Sequence, residues 1–302
     1  MSATFVDVED VRQRLGSFGV WIAPMTLLTT PVATQRAQFA RIESLGYGSL
    51  WSGEPPADSP MGGREAFAEH GVMLAATERI VVGTGVANIT RRDPAAMHSG
   101  AATLAEAYPG RFILGIGGQT GDSPLSQLRA YLDGMDAAAT QVLSETAYPR
   151  LLAALGPKTH DVAAQRTHGV HPFMQPVEHT ANARRLLGPE PLLIPHQFLM
   201  LNEDAETARG AIRSVFGSDA GLPNGFYANN FRRLGFTDDD LLDGLSDRFI
   251  DAVLAWGGRD DIVSRSRAHL HAGADHVLLH PIAHDLTAAV DQLELLAPLL
   301  HN

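Results

Sequence analysis

The chain has 302 residues, 45% of them hydrophobic and 19% charged, with a formal net charge of −11 and no cysteine. The acidic balance excludes broad electrostatic attraction to nucleic acid or to an anionic membrane, and the missing thiols exclude disulfides, thiolate metal sites and cysteine nucleophiles. With acids and no apolar run in the first 20 residues, and no apolar stretch of bilayer-spanning length, the expectation is a cytoplasmic enzyme of one large α/β domain covering residues 1–302.

In chain order the first apolar run is Phe18 to Ala23. A helix is expected next, with Thr30 as N-cap, Pro31 at its first position, Phe39, Ile42 and Leu45 on one face and Gly46 at the C-cap. Ser49 to Trp51 is a second strand, then a Pro- and Gly-rich loop and a helix from about Arg64 to Ala76. Ile80 to Val82 opens a third strand that runs into Gly83, Gly85, Asn88, Arg91 and Arg92. Asp93-Pro94 reads as N-cap and first residue of a helix that Pro109-Gly110 stops. The fourth strand is Arg111 to Gly117 and the fifth Arg150 to Leu155, with a helix from Pro124 to Met135 between them. A helix from Pro157 to about Arg166 leads to a sixth strand, Gly169 to Phe173. Pro191 to Leu201, with a proline irregularity, is the seventh, and Asp275 to His280 the eighth, followed by a helix from Leu286 to Leu300.

Eight strands alternating with helices predict a (β/α)8 barrel, and the continuous apolar runs suit strands buried on both faces. The extra material between the last two strands, about residues 218–257, reads as an insertion: Gly221 to Asn230 is turn-rich, and Thr237 to Trp256 is expected to be helical with Ser246 as a cap.

Ligands of parallel barrels bind at the C-terminal strand ends, which gathers Asn88 to Arg92, Gly117 to Thr120, Gly156 to Lys158 and Val170 to His171 around one mouth. Glycines there are either turn formers or places of close approach. Gly156-Pro157-Lys158 opens a helix, whose free N–H groups and dipole favour an anion, with Lys158 as a movable cation. Gly115-Ile-Gly117-Gly118 lacks the third glycine of a dinucleotide fingerprint and follows the fourth strand, which excludes a Rossmann reading. Among the 13 histidines, His269 and His271 diverge on a helix, and His276 and His280 share a strand face but stand too far apart for one ion, so no metal site is expected.

These segments resemble the luciferase-like monooxygenase family, and within it the actinobacterial oxidoreductases that use the deazaflavin coenzyme F420. The resemblance runs through the third strand, Pro109 to Gly117, Ala154 to Lys158, Gly169 to Phe173, Leu234 to Asp239, Ala255 to Gly257 and Ala272 to Val277. It implies a TIM barrel of the bacterial luciferase-like type and hydride transfer between F420 and a small organic substrate. Flavin mononucleotide (FMN) is the alternative cofactor, and a cofactor-binding relative without catalysis the alternative function. It implies that the third strand ends in a bulge at Gly85 and Val86, often with a non-proline cis peptide, which supports the cofactor ring, and that Asn88 bonds the ring. A plain barrel-corner bulge is the competing reading.

The resemblance further implies that Gly117 and Gly118 approach the ribityl chain or substrate. The phosphate is expected at Gly156, Pro157 and Lys158 and at the backbone of Gly169, Val170 and His171. Local attraction for an anionic cofactor must come from Arg91, Arg92, Lys158 or Arg166, unless the first two pair with nearby acids. At Glu54-Pro55 the family's dehydrogenases carry a histidine where this chain has Pro55, and Gln119 and Thr120 replace an acid found in some relatives. Glu54 is left as candidate acid, or else as a carboxylate bonding backbone amides. Family members pair through early helices, so a homodimer is expected, and the Ala95 to Ala107 helix is compatible with it.

Overall fold

The computed structural model describes residues 6–57, 59, 62–140, 147–216, 222 and 224–301. Its strands are β1 (Phe18–Ile22), β2 (Ser49–Ser52), β3 (Val81–Thr84), β4 (Ala87–Asn88), β5 (Phe112–Gly117), β6 (Arg150–Leu152), β7 (Gly169–Val170), β8 (Leu192–Leu193), β9 (His196–Leu201), β10 (Leu254–Gly257) and β11 (Val277–Pro281). All their pairings are parallel.

Neighbouring strands follow the chain from β1 to β8, with β3 and β4 forming one kinked stave against β5. β8 and β9 are likewise one stave bent at Ile194-Pro195. Leu193 pairs with Val170 of β7 on one side, and its carbonyl accepts the Asp275 N–H on the other. Beyond the bend β9 pairs with β11, and β11 with β1, so the ring closes on eight staves, the number read from the sequence. The fold is a (β/α)8 barrel. β10 lies outside that ring, against the upper half of β9.

Alternation along each strand sorts its side chains. Phe18, Val20 and Ile22 of β1 face outward to the helices, while Trp21 joins Trp51, Val81, Ile113, Leu151, Leu192, Ile194 and Leu278 inside the barrel. Leu15, from the helix Val8–Leu15, belongs to that inner cluster and closes the N-terminal end. The helices Val32–Ser44, Ala66–Ala75, Pro94–Ala107, Pro124–Ala139 and Leu286–Leu300 bury their apolar faces on the outer surface.

Several local expectations need correction. Thr30 is not the N-cap: the helix starts at Val32 after Pro31, and the Thr30 hydroxyl donates to the Thr26 carbonyl. The fifth and sixth strands are shorter than their apolar runs, because the barrel ladder ends at Leu152 and Val170. Thr237 to Trp256 is not one helix. Short helices Asp238–Leu241 and Asp247–Val253, the second capped by Ser246 as expected, lead into β10. Helices Val177–Leu187 and Ala205–Phe216 were not anticipated, and Arg259–His271 carries the two histidines placed on a helix. The expected start of the insertion at 218–221 lies outside the described residues. Its described part forms a small core of Phe231, Phe236, Leu241, Phe249 and Ile250 packed on Phe198 at the top of β9.

Candidate functional site

The kink in the third stave organises the mouth. The Gly85–Val86 peptide is cis. Each backbone group around it has a partner: Gly85 N–H donates to Ser52 O, Glu54 N–H donates to Val86 O, and the Trp21 indole donates to Gly85 O at 3.1 Å. A side chain on Gly85 would meet Trp21 and, at 2.9 Å, His171 Nε2, so glycine is needed for this approach. Val86 is half-buried and faces β5, where its Cγ2 lies 2.9 Å from the Cβ that Gly117 lacks.

That contact gives Gly117 and Gly118 a role within the barrel itself. Their missing side chains make room for the protein's own third stave: Val86 fills the space over Gly117, and the Asn88 amide fills that over Gly118, where φ is +89°. Asn88 itself is buried, and its Oδ1 accepts from both the N–H and the hydroxyl of Thr90.

Glu54 sits beneath the kink with its side chain fully buried. Its Oε2 accepts from Asn88 N–H at 3.0 Å and Arg92 at 2.8 Å; its Oε1 accepts from Ala66 N–H at 3.2 Å and Arg92 at 2.6 Å, with Arg91 Nε at 3.2 Å. A carboxylate offers about four lone-pair sites, and all are taken. The geometry therefore assigns Glu54 to holding β4 and the start of helix Ala66–Ala75, and corrects its candidacy as a proton donor. Arg92 also pairs with Glu65 and lies over the Phe67 ring. Arg166 pairs with Asp133 and Asp136. Three of the four cations considered for an anionic ligand are thus matched by acids of the chain.

The fourth, Lys158, is exposed at the start of helix Pro157–Arg166. Gly156 caps that helix with no side chain, Pro157 has no N–H, and the Lys158 N–H has no acceptor among the described residues. Arg233, at the end of helix Gly225–Arg233, brings its guanidinium 3.3 Å from the Cβ position of Gly156. The Asn230 amide donates to Gln175 Oε1 and to His179 Nδ1, which leaves a neutral His179 with its proton on Nε2 and no acceptor for it. His160 Nδ1 donates to Gly156 O, and its own Nε2 is buried without a partner. Burial pushes the His179 imidazole down to about 3, with neighbouring His160 adding to the effect, and lowers His160 as well. Two cations, an uncapped helix start and an orphaned buried N–H suit an anion.

Gly169, Val170 and His171 lie deeper in the barrel. All three are buried, Gly169 and Val170 in the ladder and His171 just past it; the His171 N–H donates to Leu152 O, and Val170 O accepts from the Ile194 N–H. These two backbone groups are spent on the sheet and are not open to a phosphate.

Above the inner cluster the mouth is ringed by Trp21, Phe173, His196, Phe198 and His280. Sequence reading considered His280 only as a metal ligand and missed His196, Trp21 and Arg233. Inward parity with Leu278 and Ile194 was the available signal for the two histidines. A cavity of about 630 Å³ lies elsewhere, between β10 and helix Arg259–His271, lined by Glu203, Asp251, Trp256, Asp261 and Arg265. It opens on the outside of the barrel, away from the kink.

Residues 15–136 match the family model of the luciferase-like monooxygenases. None of the curated proteins matches the sequence. Among solved structures, an F420-dependent secondary alcohol dehydrogenase in complex with an F420-acetone adduct is similar over 95% of this chain and 99% of its own, with TM-score 0.70 and 16% identity. A coenzyme F420-dependent tetrahydromethanopterin reductase from Methanopyrus kandleri covers 92% of this chain and 97% of its own, with TM-score 0.64 and 16% identity. The oxygenating constituent of 3,6-diketocamphane monooxygenase from Pseudomonas putida, in complex with FMN, covers 94% and 98%, with TM-score 0.62 and 12% identity. Residues 15–136 thus carry the sequence pattern of the luciferase-like monooxygenases, and the barrel fold of these structures is shared over nearly the whole chain.

Proposed function

We propose that the protein is an oxidoreductase that moves a hydride between deazaflavin F420 and a small, uncharged organic substrate. The observation that carries this reading is the anion seat after β6, on the same rim of the barrel as the kinked stave. The uncapped start of helix Pro157–Arg166, Lys158 and Arg233 would hold the phosphate-bearing tail. Val86, half-buried beside the kink, would support the flat ring, and Trp21 and Phe173 would bound the space for substrate. When bound, F420 supplies a hydride donor or acceptor of low potential. The chain's part is to bind and orient that carrier and to keep water from the reacting atoms. We also propose a homodimer, with the early helices as its interface.

FMN is the rival cofactor, since one of the similar barrels is an FMN complex. Titration with each cofactor, followed by fluorescence, separates the two. F420 is expected to bind saturably and FMN more weakly. Lys158→Ala and Arg233→Ala are each expected to weaken F420 by about 1.5–3 kcal/mol, roughly 10- to 100-fold, as loss of a charged hydrogen bond requires. Tighter binding of FMN would move the protein to the monooxygenases, and binding of neither would overturn the redox reading. Turnover with reduced F420 on a panel of enones, imines and nitro compounds then decides whether bound cofactor is used.

A further inference from the structure

Two histidines in the mouth are joined ring to ring: His196 Nε2 and His280 Nδ1 are 2.7 Å apart. The direction of that bond is readable. The Met174 backbone N–H points at His196 Nδ1 at 3.4 Å, and a backbone N–H only donates. His196 Nδ1 is therefore the acceptor, and a neutral His196 carries its proton on Nε2. That proton goes to His280 Nδ1, so a neutral His280 carries its own on Nε2. Burial keeps both rings neutral, pushing His280 down to about 3 and His196 well below the usual imidazole range, with His280 adding to the effect on His196.

His280 Nε2–H is the end of this chain and has no acceptor among the described residues, yet it does not count among the buried unsatisfied atoms. The ring cannot swing away. Trp21 packs against it with centroids 4.5 Å apart and Phe198 at 4.6 Å, and His196 holds its other edge. His276, two pleat repeats below, differs: its Nδ1 donates to Gly16 O and its Nε2 accepts from Ser49, so nothing is left over. No carboxylate and no Lys or Arg among the described residues is bonded to the His280 ring.

We infer that His280 Nε2–H is a fixed, uncharged hydrogen-bond donor that holds the acceptor atom of a neutral carbonyl-type substrate, a ketone, enone or imine, between Trp21 and Phe198. The inference rests on the proposed redox reading for its place in a reaction, and it names the substrate class of that site. A neutral imidazole polarises such a group without giving up its proton, and a donor aimed where negative charge grows contributes more as the charge develops. The rings around it select flat, apolar molecules and disfavour carboxylates and phosphates, whose charge would have no partner there.

The test uses the full chain and cyclohex-2-enone labelled with ¹³C at the carbonyl. Nitrogen NMR of ¹⁵N-histidine protein is expected to show His280 protonated on Nε2 and bare on Nδ1. The bound probe is expected to show a downfield carbonyl carbon and a lowered C=O stretch. His280→Phe should abolish both shifts and weaken the probe roughly tenfold, the scale of one unmade hydrogen bond. His280→Gln, which keeps an amide N–H near the Nε2 position, should retain both shifts within about threefold of the native affinity. A proton on His280 Nδ1, an unshifted bound probe, unchanged binding to the Phe variant or no saturable binding would each overturn the assignment. The nitrogen spectrum and the probe shift are read on the native chain, so they stand even where the Phe variant fails to fold. A protein that shifts the probe but binds neither F420 nor FMN would sink the redox reading alone, and cofactor binding without the shift would sink this inference alone.

Discussion

Glu54 shows how far a buried carboxylate is from a catalytic acid when its partners are counted. Its charge is shared with Arg92, whose side chain is 10% exposed, and the pair ties three segments of the mouth together. Glu54→Gln leaves Arg92 with only the half-exposed Glu65, and breaking a buried pair on one side typically costs about 3–5 kcal/mol. Urea unfolding should register that loss. A variant of native stability that nevertheless loses all turnover would return Glu54 to the role of proton donor. Glu69 is the opposite case. It is buried with neither oxygen hydrogen-bonded and only Arg64 nearby, at 3.3 Å, and burial raises its carboxyl above the usual range. A raised folded value means that the folded state binds the extra proton, so Glu69 costs stability as pH rises through its window. Glu69→Gln should therefore stabilise the fold at pH 8 by about 1 kcal/mol, and by less at pH 4. Equal effects at the two pH values would contradict it.

At the scale of the element, β5 is built around absences. A side chain at Gly115 would run into the Thr84 carbonyl, and the Thr84 hydroxyl both donates to Gly115 O and accepts from Gly115 N–H. The third and fourth staves close this tightly only because Gly115 and Gly117 leave room for Thr84 and Val86. Gly115→Ala must push backbone against backbone and should destabilise by about 3 kcal/mol or more. Gly210, in helix Ala205–Phe216, has open space where a side chain would go, so Gly210→Ala should stabilise by about 0.5–1 kcal/mol. Thermal unfolding of the pair of variants checks the sign of each. Helix Pro157–Arg166 makes a related point. Its bounds were legible from Gly156-Pro157, but its partner Arg233 comes from a helix far along the chain, and no local pattern joins the two.

For the molecule as a whole, the histidines set the response to acid. Burial holds His171 and His276 at about 4 and His179, His269 and His280 at about 3. In the unfolded chain each titrates near 6.5, so the unfolded state takes up protons that the folded state refuses. Their stabilisation is complete above about pH 6.5 and is lost as pH falls toward 4, at up to about 1.4 kcal/mol per pH unit for each group. Urea midpoints should hold steady from pH 8 to 7 and fall steeply from 6 to 5; a flat profile to pH 5 would contradict the burial of these rings. No described helix is long and apolar enough to cross a membrane.

The barrel was legible because its signals are local. Apolar runs, Asp93-Pro94 and Gly156-Pro157 depend on neighbours a few residues apart, and the kink at Gly85–Val86 came from a resemblance carried by a contiguous stretch. The same local patterns misread Leu254–Gly257, whose strand exists only because β9 offers an edge to pair with. By itself, the sequence determined the number of staves, their order and an anion-friendly helix start. Only the tertiary structure decided that Glu54 is spent on Arg92, that Gly117 and Gly118 shelter Val86 and Asn88, and that His196 and His280 meet. Those facts depend on which side chains converge across the barrel, and hydrogen-bond capacity is used up by partners that lie dozens or hundreds of residues away in the chain.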